Sequence, residues 1–270
     1  RDLHSFPTRR SSDLAAWPTD VLTLSGGRLT SRRRGLLAHE PADVWRLLGE
    51  ALAWDAAVDP GAAHLPYGPG WLGYVGYECG GLIERLPPRR HAPGPLPDLR
   101  LAFYDAALVF DAVERQWRLT WLEQERGAAP AAAGRLEALC KAAVERATAC
   151  PATNLQTAPA DRRASGPAPE WESNFTIEAY YRAVRRCLDY IAAGDIYQVN
   201  LAQRFQAPCQ GDAWSAYQAL RAACPTPFAG FQALEGGDAI LSLSPERFLQ
   251  VSQGRVETRP IKGTRPRGIS

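Results

Sequence analysis

Between Ile177 and Ile191 the apolar residues Ile177, Tyr180, Tyr181, Val184, Leu188 and Ile191 recur at three- and four-residue spacings. That spacing lines one face of an α-helix. Thr176 before the run and Gly194 after it are N-cap and C-cap residue types, so the pattern predicts a helix with defined ends. The period then changes. Tyr197, Val199 and Leu201 alternate with Gln198, Asn200 and Ala202, which predicts a strand with one apolar and one polar face. A second helical stretch, about 213–224, leads to strand-like runs at 228–234, 239–243 and 247–251. The last of these is expected to pair with 255–259 across Ser252-Gln253-Gly254.

The first half mixes the same periods. Val21 to Leu24 meets the turn signal Ser25-Gly26-Gly27, and apolar residues resume at Leu29, which predicts a hairpin. Pro41 opens a helical stripe of Val44, Leu47, Leu48, Ala51 and Leu52. The segment from Gly68 to Gly81 (GPGWLGYVGYECGG) alternates small and aromatic residues. Its glycines permit close backbone approach, so it reads as paired strands with bulges. Residues 101–111 and 116–122 read as two strands around a turn, and Leu136, Leu139, Cys140, Ala143, Val144 and Ala147 as a helical stripe. Residues 151–170 hold prolines and alanines without an apolar period and read as a linker. The expected architecture is α+β: mixed sheets with flanking helices, a first domain over 15–150 and a second over 171–270.

Composition narrows the class. With 46% hydrophobic and 22% charged residues the chain reads as an ordinary globular protein, and no apolar run reaches the roughly 18 residues of a membrane span. The 31 basic and 29 acidic side chains nearly cancel, which argues against a nucleic-acid partner. Six cysteines are scattered without a C-x-x-C pair or zinc spacing, and a reduced, cytoplasmic protein is the simplest account. No methionine is present, so the chain is read as a fragment. Residues 1–14 (RDLHSFPTRRSSDL) lack the apolar centre of a secretory signal. They look like a translated sequencing adapter and are set outside the expected fold.

The chemistry-bearing residues gather near the end. Glu246 lies in SPERF (244–248) and Lys262 in RPIKGT (259–264). A lysine leaving a strand next to a ligand can lose solvation, and its neutral amine then becomes a nucleophile. A carboxylate on the neighbouring strand could exchange the proton. Spacing alone favours a plain cross-strand ion pair of Glu246 and Lys262, and Gln198, Asn200 and the histidines fit ordinary surface positions.

The second half resembles the chorismate-utilising family that contains anthranilate, aminodeoxychorismate, isochorismate and salicylate synthases. The resemblance is carried by AGDIYQVNL (193–201), QRF (203–205), LSLSPERF (241–248) and ETRPIKGTRPRG (257–268). GWLGYVGYECGGLIE (70–84) and PDLRLAFYDAALVFD (97–111) extend it to the family's N-terminal domain. It implies an anthranilate synthase component I-like fold with an incomplete chorismate-binding domain. At the place of Lys262 the family's anthranilate synthases carry alanine, whereas its aminodeoxychorismate synthases carry lysine. The resemblance thus implies Lys262 as nucleophile, Glu246 as general acid and base, and Gly263 and Thr264 as substrate-binding residues. It also implies chorismate as substrate, Mg²⁺ with ligands beyond this stretch, and ammonia from a separate glutamine amidotransferase subunit. Tryptophan is a further ligand known in the family. The remaining alternatives are an anthranilate synthase component I and a non-catalytic relative that binds chorismate or tryptophan.

Overall fold

The computed structural model describes residues 11–38, 41–52, 68–86, 96–123, 129–149, 170–209, 211–252, 254–261 and 263. The expected linker, apart from Glu170, lies outside them. The chain divides into two compact units, Arg1–Asn154 and Leu155–Ser270.

In the first unit, β2 (Asp20–Ser25) and β3 (Arg28–Ser31) form the expected hairpin. Gly26 and Gly27 turn it with φ of 56° and 77°, angles that glycine adopts without penalty. Together with β4 (Gly35–Ala38), β5 (Gly70–Val75) and β6 (Leu99–Tyr104) they make a five-stranded antiparallel sheet in the order β4-β3-β2-β6-β5. Helix α1 (Pro41–Leu52) begins at the expected proline. It lays Val44, Leu48 and Ala51 against Leu22, Leu24, Leu29 and Leu99 of the sheet. Burial of this stripe, at about 25 cal/mol per Å² of apolar surface, is what holds the helix in place.

Two expectations for this unit need correction. The glycine-rich segment forms one strand, β5, followed by a 3-10 turn over Tyr77–Leu82, rather than paired strands. The change of direction comes at Gly76, whose N–H donates to the Asp98 carbonyl at 2.7 Å while buried Cys79 tucks beneath the sheet. Residues 101–111 are likewise not one strand. They break at Asp105 into β6 and β7 (Ala106–Asp111), and these belong to different sheets. Apolar residues continue across the break, so no change of period marks it.

The second sheet is three-stranded, β1-β7-β8, with β8 at Gln116–Trp121. Helix α2 (Ala131–Ala149) covers it, packing Ala132, Ala133 and Leu136 on Ala106 and Leu108. Of the predicted stripe only Leu136 and Cys140 join this core, and Leu139 and Val144 face solvent. Strand β1 is Ser11–Leu14, paired along β7 from Ser11 opposite Asp111 to Leu14 opposite Leu108. The expectation that residues 1–14 stand outside the fold therefore fails for these four. An unpaired β7 edge offers hydrogen bonds to any adjacent extended segment.

In the second unit α3 (Ile177–Ala193) has the predicted caps. Thr176 Oγ1 accepts from the Ala179 N–H at 3.2 Å, and Gly194 closes the helix with φ 80°. None of its side chains is buried; Ile177 and Tyr181 are 71% and 61% exposed. The strand expected at 197–201 is absent: 196–204 is irregular, and only β10 (Phe205–Gln206) pairs, with β9 (Glu172–Ser173). An alternating segment becomes a strand only beside a partner, and no described strand lies alongside this one.

Helix α4 (Ala213–Ala223) packs on the hairpin of β11 (Phe228–Ala233) and β12 (Ala239–Ser244). Trp214 stands edge-on to Phe231 at 5.1 Å, beside buried Tyr217. The last two described strands form the predicted hairpin of β13 (Arg247–Ser252) and β14 (Arg255–Arg259), with Gly254 at φ 72° in its turn. No closed barrel forms among the described residues.

Candidate active site

The site is built around the open end of the β13-β14 hairpin. Between β12 and β13 the chain reverses through Ser244-Pro245-Glu246. The Ser244 hydroxyl donates to the Glu246 carbonyl at 3.0 Å and accepts from the Glu246 N–H at 3.3 Å. Pro245 removes a donor and fixes φ at this point, so serine and proline together set where the glutamate leaves the chain. Glu246 is exposed.

Arg247 stands opposite Arg259 in the ladder. Glu246 therefore lies at the same hairpin end from which the RPIKGT segment departs. Of the predicted site residues, Lys262 and Thr264 lie outside the described residues. At Gly263 the space a Cβ would take is open, with no atom within 4 Å. Gln198 and Asn200 lie exposed in the irregular 196–204 segment and form no polar strand face.

The structure joins Arg247, Glu257 and Arg259 beside the site. Arg259 grips the Glu257 carboxylate with both arms of its guanidinium, Nε to Oε1 at 2.7 Å and Nη2 to Oε2 at 3.2 Å. Arg247 donates to the same Oε1 and to the side-chain oxygen of Gln250. Its guanidinium also sits 5.1 Å above the Phe228 ring, a cation–π contact that ties the hairpin to β11. The hydrogen bond from Arg259, and then that from Arg247, hold the Glu257 carboxyl below its ordinary range. Opposite charges two ladder positions apart were the available signal, but the register that lets them meet contains a shift no pattern discloses.

The surroundings are apolar and open. Phe248 is 87% exposed, and Leu249, Val251 and Val256 are exposed as well. Among the described residues no group of three or more His, Cys, Asp or Glu side chains could hold a metal ion. None of the described helices is long and apolar enough to cross a membrane.

The chain belongs to the chorismate binding enzyme family, which matches residues 28–270. Among curated relatives, aminodeoxychorismate synthase component 1 of Klebsiella aerogenes is 36% identical over 264 residues, 94% of this chain and 51% of that protein. Anthranilate synthase component 1 of Thermus thermophilus is 36% identical over 219 residues, 75% of this chain and 41% of the relative. The chain thus spans about half the length of the relatives it matches. The crystal structure of anthranilate synthase component I from Streptococcus pneumoniae superposes with a TM-score of 0.68 at 24% identity, covering 95% of this chain and 55% of that one. The anthranilate synthase component I-like fold is thereby established.

Proposed function

We propose that this chain is part of an aminodeoxychorismate synthase component I, which converts chorismate and ammonia to 4-amino-4-deoxychorismate. The observation that carries the reading is Lys262 in P-I-K-G-T, where related anthranilate synthases carry alanine, together with the intact S-P-E turn. Similarity to the Klebsiella aerogenes and Salmonella typhimurium synthases supports it. The hairpin supports it too, because it brings Glu246 to the end from which the lysine segment leaves.

The chemistry follows from the residues. The Lys262 amine attacks C2 of chorismate, the ring double bonds shift, and the C4–O bond breaks. Glu246 gives a proton to the departing hydroxyl, which leaves as water, and takes back the proton released by the new C–N bond. Ammonia then attacks C4, the double bonds return, and the C2–N bond breaks. Glu246 gives its proton to the leaving lysine amine and takes one from the new C4 ammonium, so the enzyme ends as it began. The apolar surface of Phe248, Leu249, Val251 and Val256 matters here. Once covered, it would keep bulk water away from both groups. Mg²⁺ would be held by residues other than those described.

Ammonia would come from a glutamine amidotransferase subunit, and the product would serve 4-aminobenzoate and folate supply in the cytoplasm. The test compares wild type with Lys262→Ala in the chain completed to the length of its relatives, given chorismate, ammonia and Mg²⁺, with products resolved chromatographically. Aminodeoxychorismate from wild type, and its loss or replacement by anthranilate in the variant, is the expected result. Anthranilate from the wild type would move the chain to the anthranilate synthase branch. Binding of chorismate without turnover would make it a non-catalytic relative.

A further inference from the structure

Glu246 sits in a bend that is tied down on both sides. On its N-terminal side Ser244 ends β12, where it stands opposite Phe228 of β11. One hydroxyl there serves both polar groups of one residue: it donates to the Glu246 carbonyl and accepts from the Glu246 N–H. A serine hydroxyl carries a single proton. The Glu246 carbonyl accepts it, which gives Ser244 the task of holding backbone rather than of moving a proton to substrate. On the C-terminal side Arg247 opens β13 opposite Arg259. Its guanidinium bonds the Glu257 carboxylate and lies over the Phe228 ring. Beyond it the register shifts, leaving Phe248 and Leu249 to face Thr258 alone in a β-bulge.

Both attachments rest on the same residue. Phe228 pairs with Ser244 in one ladder and carries Arg247 on its ring, so the two ends of the bend at 244–247 share one support. Of the two residues between them, Pro245 has its φ fixed by its own ring. That leaves the Glu246 backbone as the soft point of the bend, and the Ser244 hydroxyl is the side chain bonded to it. Hydrogen bonds of this local kind, from a serine to backbone two residues on, set turn geometry at the expense of regular structure.

We propose that Ser244 is a positioning residue for the general acid: its hydroxyl locks the Glu246 backbone against the end of β12 and so fixes where the Glu246 carboxylate leaves the chain. A glutamate carboxyl stands roughly 4 Å from its Cα, across bonds of about 1.5 Å, so a tilt of about 15° in the Glu246 backbone carries the carboxylate about 1 Å. Ser244 acts through that lever without touching the reacting atoms. This inference rests on the proposed function, since Glu246 must be the acid for its placement to matter.

The experiment uses the chain completed to the length of its relatives and compares wild type with Ser244→Ala, Ser244→Thr and Glu246→Ala on chorismate, ammonia and Mg²⁺. Misplacing a reacting group by about 1 Å can cost on the order of 10²-fold in rate. Ser244→Ala is therefore expected to lose roughly 10- to 100-fold in kcat, with KM for chorismate within about twofold of wild type, because only the placement of the acid has changed. Ser244→Thr keeps the hydroxyl and should hold kcat within about threefold of wild type. If Ser244→Ala lowers the melting temperature while kcat per folded molecule stays at the wild-type value, the serine is an ordinary turn residue and the proposal is overturned. It is equally overturned if the loss falls on KM, or if the alanine and threonine variants lose kcat alike. Failure of the underlying function shows separately, as full activity in Glu246→Ala, which would remove the acid assignment itself.

Discussion

Among the described glycines, Gly73 is the one where the fold can least accept a side chain. It lies in edge strand β5, opposite Leu101 of β6, and a Cβ built there would stand 1.9 Å from the Arg100 carbonyl oxygen and 2.9 Å from the Leu101 Cα. Ordinary van der Waals contact begins near 3.4 Å. Because both obstacles are backbone, no rotamer change relieves the clash and β5 itself must move by more than an ångström. Such a movement takes ladder hydrogen bonds beyond their 2.7–3.2 Å range and lifts Trp71 from its packing on Phe103, now 5.1 Å between rings. Gly73→Ala should therefore cost about 3 kcal/mol, the upper end for overpacking, which lowers Tm by roughly 6–12 °C in a unit of this size. Thermal unfolding followed by tryptophan fluorescence measures it. Gly49→Ala in α1, where a Cβ meets nothing within 4 Å, serves as control and should stabilise by roughly 0.5–1 kcal/mol. A Tm for Gly73→Ala within 2 °C of wild type, on the order of the error of such comparisons, would refute the close-approach argument.

Two further outcomes follow from the hydrogen bonds. Buried Asp20 accepts from the Ser31 hydroxyl at 2.9 Å, the Val21 N–H at 2.7 Å and the Arg33 N–H at 3.1 Å. Asp20→Ala orphans these donors and should cost about 2–3 kcal/mol by urea unfolding, whereas Asp20→Asn, which can still accept, should cost less than half of that. Asp212 caps α4 by accepting from Ser215, and that bond holds its carboxyl below the ordinary 3.8. A depressed carboxyl stabilises the fold above its unfolded value and loses that effect as pH falls through the lowered one. Hydrogen exchange at the Ser215 amide should therefore quicken only below about pH 3.8, and Asp212→Asn should abolish the dependence; protection that declines already at pH 5–6 would contradict the assignment.

Local order was set by sequence wherever neighbouring residues supply the cause. The Gly26-Gly27 turn, the Pro41 start of α1, the Thr176 and Gly194 caps of α3 and the β13-β14 hairpin all depend on backbone preferences or contacts within a few residues. Each is where the pattern put it. Lys262 and Glu246 stood out in the sequence for a different reason: they lie in long, ordered motifs that resemble those of the chorismate-utilising family.

What required the tertiary structure were features that depend on a distant partner. The break at Asp105 was hidden because strands on both sides of it are apolar. Tyr197 to Leu201 alternates like a strand yet lacks a described neighbour to complete its hydrogen bonds, and Ser11–Leu14 became a strand because β7 offered an edge. The bulge at Phe248-Leu249 is the clearest case. The sequence determined that a hairpin joins 247–251 to 255–259, but which of its residues share a face was decided by register, because a ladder of period two inverts with a single residue and only cross-strand pairing says where that residue goes.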